Sequence, residues 1–533
     1  MQEKLVEHWL TSVNELTYQL PLCEVLLAHG YAVLHVSKHG RGEHGKDIIA
    51  RDPNGALTTF QLKGGDINLG AWRDIRGEVE ELVELPVMLP GIDPAEPHSP
   101  VLVTNGELRG DAIPNIREYS DLWHARGSGR LIVWQKTELL QKFISAHGTF
   151  LPTSLKDFRT FVELYVSDFT DRLPRERFAQ FIFSLYPSDG TAIQKRRALQ
   201  SAVLIGDYII GQYENATNHV AALEGWTILA MLVLFAAERD GLAPDAYRPT
   251  LSLITIGFDR SARGFLREVA TSEHFVSPRA VIAEEPAIRG ARGVLVLGWA
   301  AALWHRARVR GEDREDEPFF RDIRRIMVRE LKYIALNTEA DWPYILSIVL
   351  FAERAENARA GEAGLHRWIE AVLRNNRTDD SNGFPSPYWL QEKALALRYG
   401  KLAPADVESF HSHTFTVHSA LDMLVRRLCR QAVRGYWKRV SKLTFCDVIP
   451  DHPWGWFLWR CEEADSRIAL LPLSKSWAEW RRETANVQAN LVPRTLLEHR
   501  DWLLPFALVY PHRVNRNLTA VLDAIAGERA ALV

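Results

Sequence analysis

At 533 residues the chain is too long for one hydrophobic core, and its 47% hydrophobic and 25% charged residues are ordinary for folded globular proteins. Two or three packed domains are expected, and a disordered or fibrous chain is excluded. A net charge of −3 rules out attraction of a polyanion by bulk charge, so a nucleic-acid partner has to be held by local patches.

The first 28 residues place apolar side chains at helical spacing from Val6 to about Ala28. Tyr31 to Val36, Asp47 to Arg51 and Thr58 to Lys63 then read as short strands separated by Gly, Asn and Pro. Asp52-Pro53-Asn54-Gly55 predicts a turn, because Pro presets φ and Asn-Gly accepts positive φ, so the second and third strands form a hairpin. Trp72 to Leu85 returns to helical period and is rich in acids, and the proline-rich Pro86 to Pro100 reads as a loop. Val101 to Val103 and Leu131 to Val133 are apolar runs suited to strands buried on both faces, with a helix between them. The order is helix, three strands, helix, strand, helix, strand, which is an α/β domain over residues 1–148.

Beyond Gly148 the strand signals fade. Thr191 to Tyr213, Val220 to Arg239, Gly293 to Arg308, Phe319 to Leu336, Trp342 to Ala355 and Thr414 to Val440 are amphipathic stretches of helical period. A mostly α-helical region is expected, divided into domains over 149–376 and 377–533 at the loop signal Asp379-Asp380-Ser381-Asn382-Gly383. No pattern recurs at a period of about 34 to 45 residues, so nothing identifies a solenoid. MQEKLVEHWL lacks a signal-peptide pattern, and Ile228 to Ala237 is shorter than the roughly 20 apolar residues that span a bilayer, so no membrane role is expected. Cys23, Cys429, Cys446 and Cys461 form no CxxC pair and no zinc-finger spacing, which fits a reducing cytoplasm.

The chemistry concentrates in His39-Gly-Arg-Gly-Glu-His-Gly-Lys-Asp-Ile-Ile-Ala50 and, after the turn, Phe60-Gln-Leu-Lys63. Asp47 opens one strand, while Gln61 and Lys63, two residues apart, share a face of the next. Phosphodiester hydrolysis needs a hard cation bound by oxygen, a positioned water and positive charge where the transition state gains negative charge. Asp47, the Gln61 side chain and the Leu62 carbonyl supply the oxygens for Mg²⁺ or Mn²⁺, and Lys63 supplies the charge. An acid of the first helix adds a second anchor, with Glu24 the first choice and Glu15 the second. A G-x-x-x-x-G-K match over Gly40 to Lys46 is set aside as a phosphate-binding loop. It lacks the Ser or Thr that holds Mg²⁺, and strand rather than helix follows.

These pieces resemble the Mrr-like branch of the PD-(D/E)xK restriction endonucleases. The resemblance runs from Tyr18 to about Phe143 and takes its parts in family order. Leu-Leu-Ala-His-Gly-Tyr closes a helix, Gly-Lys-Asp-Ile-Ile-Ala follows a Gly-rich turn, and Phe-Gln-Leu-Lys stands where the family writes Gln-x-Lys. Val-Leu-Val-Thr-Asn-Gly-Glu-Leu over 101–108 and Leu-Ile-Val-Trp-Gln-Lys-Thr-Glu-Leu-Leu over 131–140 complete it. Gln19 stands where that family carries Glu early in its first helix, and Pro86 to Pro100 reads as an insertion. The resemblance implies a Mg²⁺- or Mn²⁺-dependent endonuclease acting on DNA, as the effector of a bacterial restriction or anti-phage system. RNA is the alternative substrate, and an inactive nuclease fold that binds or assembles is the alternative role. A partner ATPase or defence-system subunit and self-association are both compatible with this reading, and the helical region would recognise a target, partner or activating signal.

Arg426, Arg430, Arg434, Lys438 and Lys442 recur every four residues on an expected helix, a stripe able to follow a phosphate backbone or simply to face solvent. Trp454, Trp456, Trp459, Trp477, Trp480 and Trp502 read as packed core, and His411, His413 and His418 as structural or surface histidines.

Overall fold

The structure, a computed structural model, describes residues 6–7, 9–11, 13–37, 45–147, 155–271, 286–312, 325, 335–355, 358–376, 384–402, 413–460, 466–470, 476–485 and 491–527. The chain divides into two compact units, Met1–Arg172 with Phe181–Asn218 and Ala243–Gly257, and Leu173–Gln180 with His219–Leu242 and Phe258–Val533.

In the first unit, helix α1 spans Glu15–Ala28. Asn14 precedes it in extended conformation and its side-chain oxygen accepts the Thr17 N–H at 3.0 Å, taking up one donor that a helix start leaves unpaired. The helix expected from Val6 to Ala28 is therefore two pieces that part at Asn14. Gly30, at φ +84°, closes α1, its N–H bonding the Leu27 carbonyl while that of Tyr31 returns to Leu26. Strands β1 (Ala32–Val36), β2 (Ile48–Arg51) and β3 (Leu57–Lys63) follow, then helix α2 (Leu69–Glu84), β4 (His98–Thr104), α3 (Ala112–Ala125), β5 (Ile132–Trp134) and α4 (Lys136–His147).

The five strands form one mixed sheet in the order β1-β2-β3-β4-β5. β1, β2 and β3 run antiparallel, and β3, β4 and β5 run parallel through crossovers that carry α2 and α3. The expected hairpin joins β2 to β3, with Ile48 opposite Phe60. Asp52 builds its turn by accepting the N–H groups of Asn54 and Ala56 at 2.9 and 2.8 Å, and Gly55 takes φ +86°. β4 begins at His98, earlier than expected, because the whole of Leu57–Lys63 finds a parallel partner in His98–Thr104. Trp72, Val79 and Leu82 of α2 pack with Leu102, Ile116 and Trp123 into a core on one side of the sheet. Helices α5 (Leu155–Tyr165), α6 (Arg175–Ser184) and α7 (Ala192–Asn215) come next, and α7 belongs to this unit, which extends past residue 148.

The second unit is mostly helical. It contains α8 (His219–Asp240), the second half of α9 (Pro244–Thr271), α10 (Pro286–Val309), α11 (Trp342–Ala355), α12 (Ala358–Asn375) and α13 (Gln391–Arg398). After these come α14 (Val417–Arg426), α15 (Arg430–Val440), α16 (Trp477–Ala485), α17 (Arg494–Glu498), α18 (Leu503–Val509) and α19 (Arg516–Gly527). The helix expected over Phe319 to Leu336 lies almost wholly outside the described residues. A small sheet, β6 (His413–Thr414), β7 (Thr444–Pro450) and β8 (Ser466–Leu470), was not expected from the sequence. α8 is long and apolar enough to cross a bilayer, with 22 residues and a mean hydropathy of 2.0, yet 94% of its apolar window is buried inside the protein. A helix apolar on all sides is what a protein core requires as much as a membrane does.

Candidate active site

β3 runs through the middle of the sheet, and its C-terminal end meets the residue that opens β2. The Asp47 main chain pairs with Phe60 and Ser37, while its carboxylate reaches across and accepts the Leu62 N–H at 2.7 Å. That bond fixes the carboxylate against the Gln61-Leu62-Lys63 segment. Because alternate side chains leave a strand on the same face, Gln61 and Lys63 both point toward α2, where each meets Glu78. Lys63 Nζ lies 2.5 Å from Glu78 Oε2 and Gln61 Nε2 lies 3.5 Å from it. The structure thus brings together Asp47, Gln61 and Lys63 and adds Glu78.

Glu78 was missed in the sequence although the acid-rich period of its helix was visible. Val79, its neighbour, is buried in the core, so a residue one step round the helix falls at the margin of that face, above the end of β3. Glu24, the acid first expected here, is placed elsewhere. Gln19 is the α1 residue that reaches the cluster, its amide donating to the Asp47 carbonyl at 3.3 Å. Glu24 lies five positions on, about 140° further round the helix. Its carboxylate is buried without a hydrogen-bond partner among the described residues, and burial followed by the charge of Asp207 on α7 pushes its pKa well above the usual range. It sits with Asp207, not with Asp47. Glu15, the second choice, flanks Tyr18, whose phenol is raised by burial, then by the charge of Glu15, and less by that of Asp47.

The backbone around the cluster is built for close approach. Gly45 has φ +66°, and a Cβ there would fall 2.4 Å from the Glu78 carbonyl and 3.0 Å from Gln61 Oε1. Below the site, a Cβ on Gly106 would fall 2.2 Å from the Gly65 backbone, while Thr104 donates to the Gly65 carbonyl at 2.6 Å and Asn105 accepts its N–H at 2.7 Å. The Thr104-Asn105-Gly106 motif therefore holds the loop that leaves β3. Tyr18 adds a hydrogen bond to the Lys63 carbonyl at 2.8 Å. Lys46, beside Asp47, turns the other way and donates to the Glu81 carbonyl at 3.1 Å. Burial lowers its pKa to about 8, against the opposing pull of Glu81.

Among the described residues no group of three or more His, Cys, Asp or Glu side chains converges to hold a metal. The donor set at this cluster is of another kind: carboxylates from Asp47 and Glu78, the Leu62 carbonyl and Gln61 Oε1, which is buried without a hydrogen-bond partner among the described residues. A buried amide oxygen without a donor is costly unless a cation or water completes it, so these residues fit a hard cation.

The basic stripe lies in the second unit and is not one helix. Leu428 adopts φ +61° and the chain turns between α14 and α15, with the Cys429 N–H returning to the Leu424 carbonyl. Arg426 ends α14 and pairs with Asp523 at 2.5 Å. Arg430, Arg434 and Lys438 lie exposed on α15, and Lys442 is exposed beyond its end. The break was hidden because neither Gly nor Pro marks it. Trp456, Trp459, Trp480 and Trp502 are buried, as is His418, whereas His411 lies outside the described residues.

No protein-family model, no curated protein and no solved structure matches the chain.

Proposed function

We propose that the first unit is a metal-dependent nuclease of the PD-(D/E)xK type that hydrolyses DNA phosphodiester bonds. The observation supporting this reading is the convergence of Asp47, Gln61 and Lys63 at one end of a hairpin, beside the acid Glu78. Asp47, Gln61 Oε1, the Leu62 carbonyl and Glu78 would hold Mg²⁺ or Mn²⁺, which supplies a Lewis acid and a more acidic water when bound. Lys63 places a positive charge where the phosphate gains negative charge in the transition state. Glu78 and the hydrogen-bonded β3 backbone hold that ammonium and the Asp47 carboxylate in place before substrate arrives. A role as effector of bacterial restriction or anti-phage defence, with any ATPase on a partner protein, rests on the family resemblance alone.

Asp47→Asn tests the reading, because its side-chain oxygen can still accept the Leu62 N–H and so preserve the local fold. Linear, circular and modified DNA and RNA are each incubated with Mg²⁺, Mn²⁺ or EDTA. DNA cleavage that needs the metal is expected, with a loss on the order of 10² or more in the variant. Undiminished cleavage by Asp47→Asn sinks the assignment, and cleavage of RNA alone makes the protein an RNase. Gln19 favours a second reading, a nuclease fold that binds nucleic acid without cutting it, since an amide stands where the resembled family has an acid. That reading expects metal-independent binding and no cleavage under any condition.

A further inference from the structure

We propose that the outer face of α15 is a track for the phosphate backbone of duplex DNA, the choice of DNA resting on the nuclease reading above. Between Asp422 and Asp447 the chain carries seven Lys and Arg residues and no acid. The structure sorts these cations into two groups. Arg426, Arg427 and Arg439 are partly buried and turn inward. Arg426 and Arg427 pair with Asp523 of α19, Arg427 also with Glu353 of α11, and Arg439 with Glu370 of α12. Those pairs fasten the segment to its neighbours. Glu362 of α12 turns to His366 and to the Cys429 thiol. On α16, which α15 meets through Trp437 and Trp480, Glu479 accepts the Ser476 N–H and Glu483 lies by Arg516. Arg430, Arg434, Lys438 and Lys442, by contrast, are all exposed, and their side chains form no ion pair or hydrogen bond among the described residues.

The three cations on α15 stand four residues apart, so each lies about 6 Å along the axis and about 40° round from the last. Arg430, Arg434 and Lys438 therefore share one arc about 80° wide and about 12 Å long, whereas Val433, Tyr436 and Val440 fill a separate, buried arc. A duplex carries one charge per roughly 1.7 Å of its axis, so several phosphates come within reach of that span. Gly435, between Arg434 and Lys438, leaves the helix surface bare, since a Cβ there would meet nothing within 4 Å. Glycine weakens a helix relative to alanine, and no neighbour among the described residues requires it here. Bare backbone beside three cations suits the close approach of a phosphate chain. A membrane is a poorer fit, because an interfacial helix needs its apolar side free and α15 has packed its own into the protein.

Fluorescence anisotropy of a labelled duplex DNA, measured with the full chain in EDTA across a salt series, tests the assignment without passing through the metal cluster. Salt-dependent binding by wild type is expected. Arg430→Ala/Arg434→Ala/Lys438→Ala removes three exposed cations and keeps good helix formers. Its thermal midpoint should hold while the slope of log affinity against log salt falls by about 3. Gly435→Glu, which adds an acid in open space, should weaken binding on the order of tenfold. No binding by wild type, or the wild-type slope in the triple variant, overturns the track. Should the triple variant unfold, wild-type affinity in Gly435→Glu overturns it instead. Tighter binding of duplex RNA or of phosphatidylserine vesicles than of DNA overturns DNA as the occupant. Failure of the nuclease reading looks different: no metal would support DNA cleavage, or Asp47→Asn would cut as wild type does, while the salt slope and its dependence on α15 stand.

Discussion

Lys63 and Glu78 form an ion pair whose partners are unequally exposed, the lysine side chain at 15% and the glutamate at 54%. An exposed pair of this kind contributes less than about 1 kcal/mol to stability, so its place at the cluster is better explained by what it positions. Glu78→Gln keeps the size of the side chain and an oxygen that can accept from Lys63, but removes one of two carboxylate charges available to a cation. Mn²⁺ affinity, read by electron paramagnetic resonance or calorimetry without substrate, is expected to fall on the order of tenfold, with the thermal midpoint essentially unchanged. Unaltered Mn²⁺ affinity would take Glu78 out of the donor set and leave it as a clamp on Lys63 alone. Asp47, Gln61 and Lys63 were legible in the sequence because a turn and a period of two fix their relation locally. Glu78 and Glu24 were not, since each depends on how a helix is rotated about its axis. Side chains on other segments decide that rotation.

The same division holds for whole elements. The strands and helices of the first unit follow from alternation, glycines and one Asp-Pro-Asn-Gly turn, all local signals. The break at Leu428 and the strand pairing of Thr444–Pro450 with Ser466–Leu470 depend on contacts that no short window contains. The Glu339 carboxylate belongs to this second kind. It sits in the turn before α11, and its Oε2 accepts the Phe415 N–H at 2.8 Å and the Thr416 hydroxyl at 2.7 Å, tying the entry of α14 to that turn. Burial raises its pKa to about 7, against the lowering effect of those bonds. The folded state therefore keeps a proton that the unfolded chain releases near its ordinary value of 4.5. The resulting stabilisation is fully present below that value and is lost as pH rises toward 7, a change of up to about 3 kcal/mol. Trp368 donates to the same Thr416 hydroxyl at 3.2 Å, which ties α12 to the junction. In urea unfolding, the stability of wild type relative to Glu339→Gln is expected to decline by that order between pH 4.5 and 7.5. An equal difference at both ends of the range would show that Glu339 does not titrate in this window.

For the molecule as a whole, the extent of the first folding unit is set by α1, which is buried from Thr17 to Leu26 on all sides. One side faces the sheet, where Gln19 and Tyr18 bond the carbonyls of Asp47 and Lys63. The other faces α7. Thr17 approaches Asn215 at 3.3 Å, and Glu24, seven residues on and about 20° out of phase, lies within reach of the Asp207 charge. Trp9, ahead of α1, packs against Tyr208 with ring centroids 4.2 Å apart and planes tilted by 33°, and both are 1% exposed. A fragment of residues 1–148 would keep every strand of the sheet and every residue of the candidate site, yet strip one side of α1. Each large apolar side chain laid bare costs about 1.5–3 kcal/mol, and a domain has only about 5–15 kcal/mol to lose. The 1–148 fragment is therefore expected to aggregate or to melt without cooperativity, whereas residues 1–218, which restore α7, should give a monomer with a sharp thermal transition and the Mn²⁺ affinity of the full chain. Size-exclusion chromatography and thermal unfolding of the two fragments decide the point. A monomeric, cooperatively melting 1–148 fragment would show that α7 leans on a domain already complete without it.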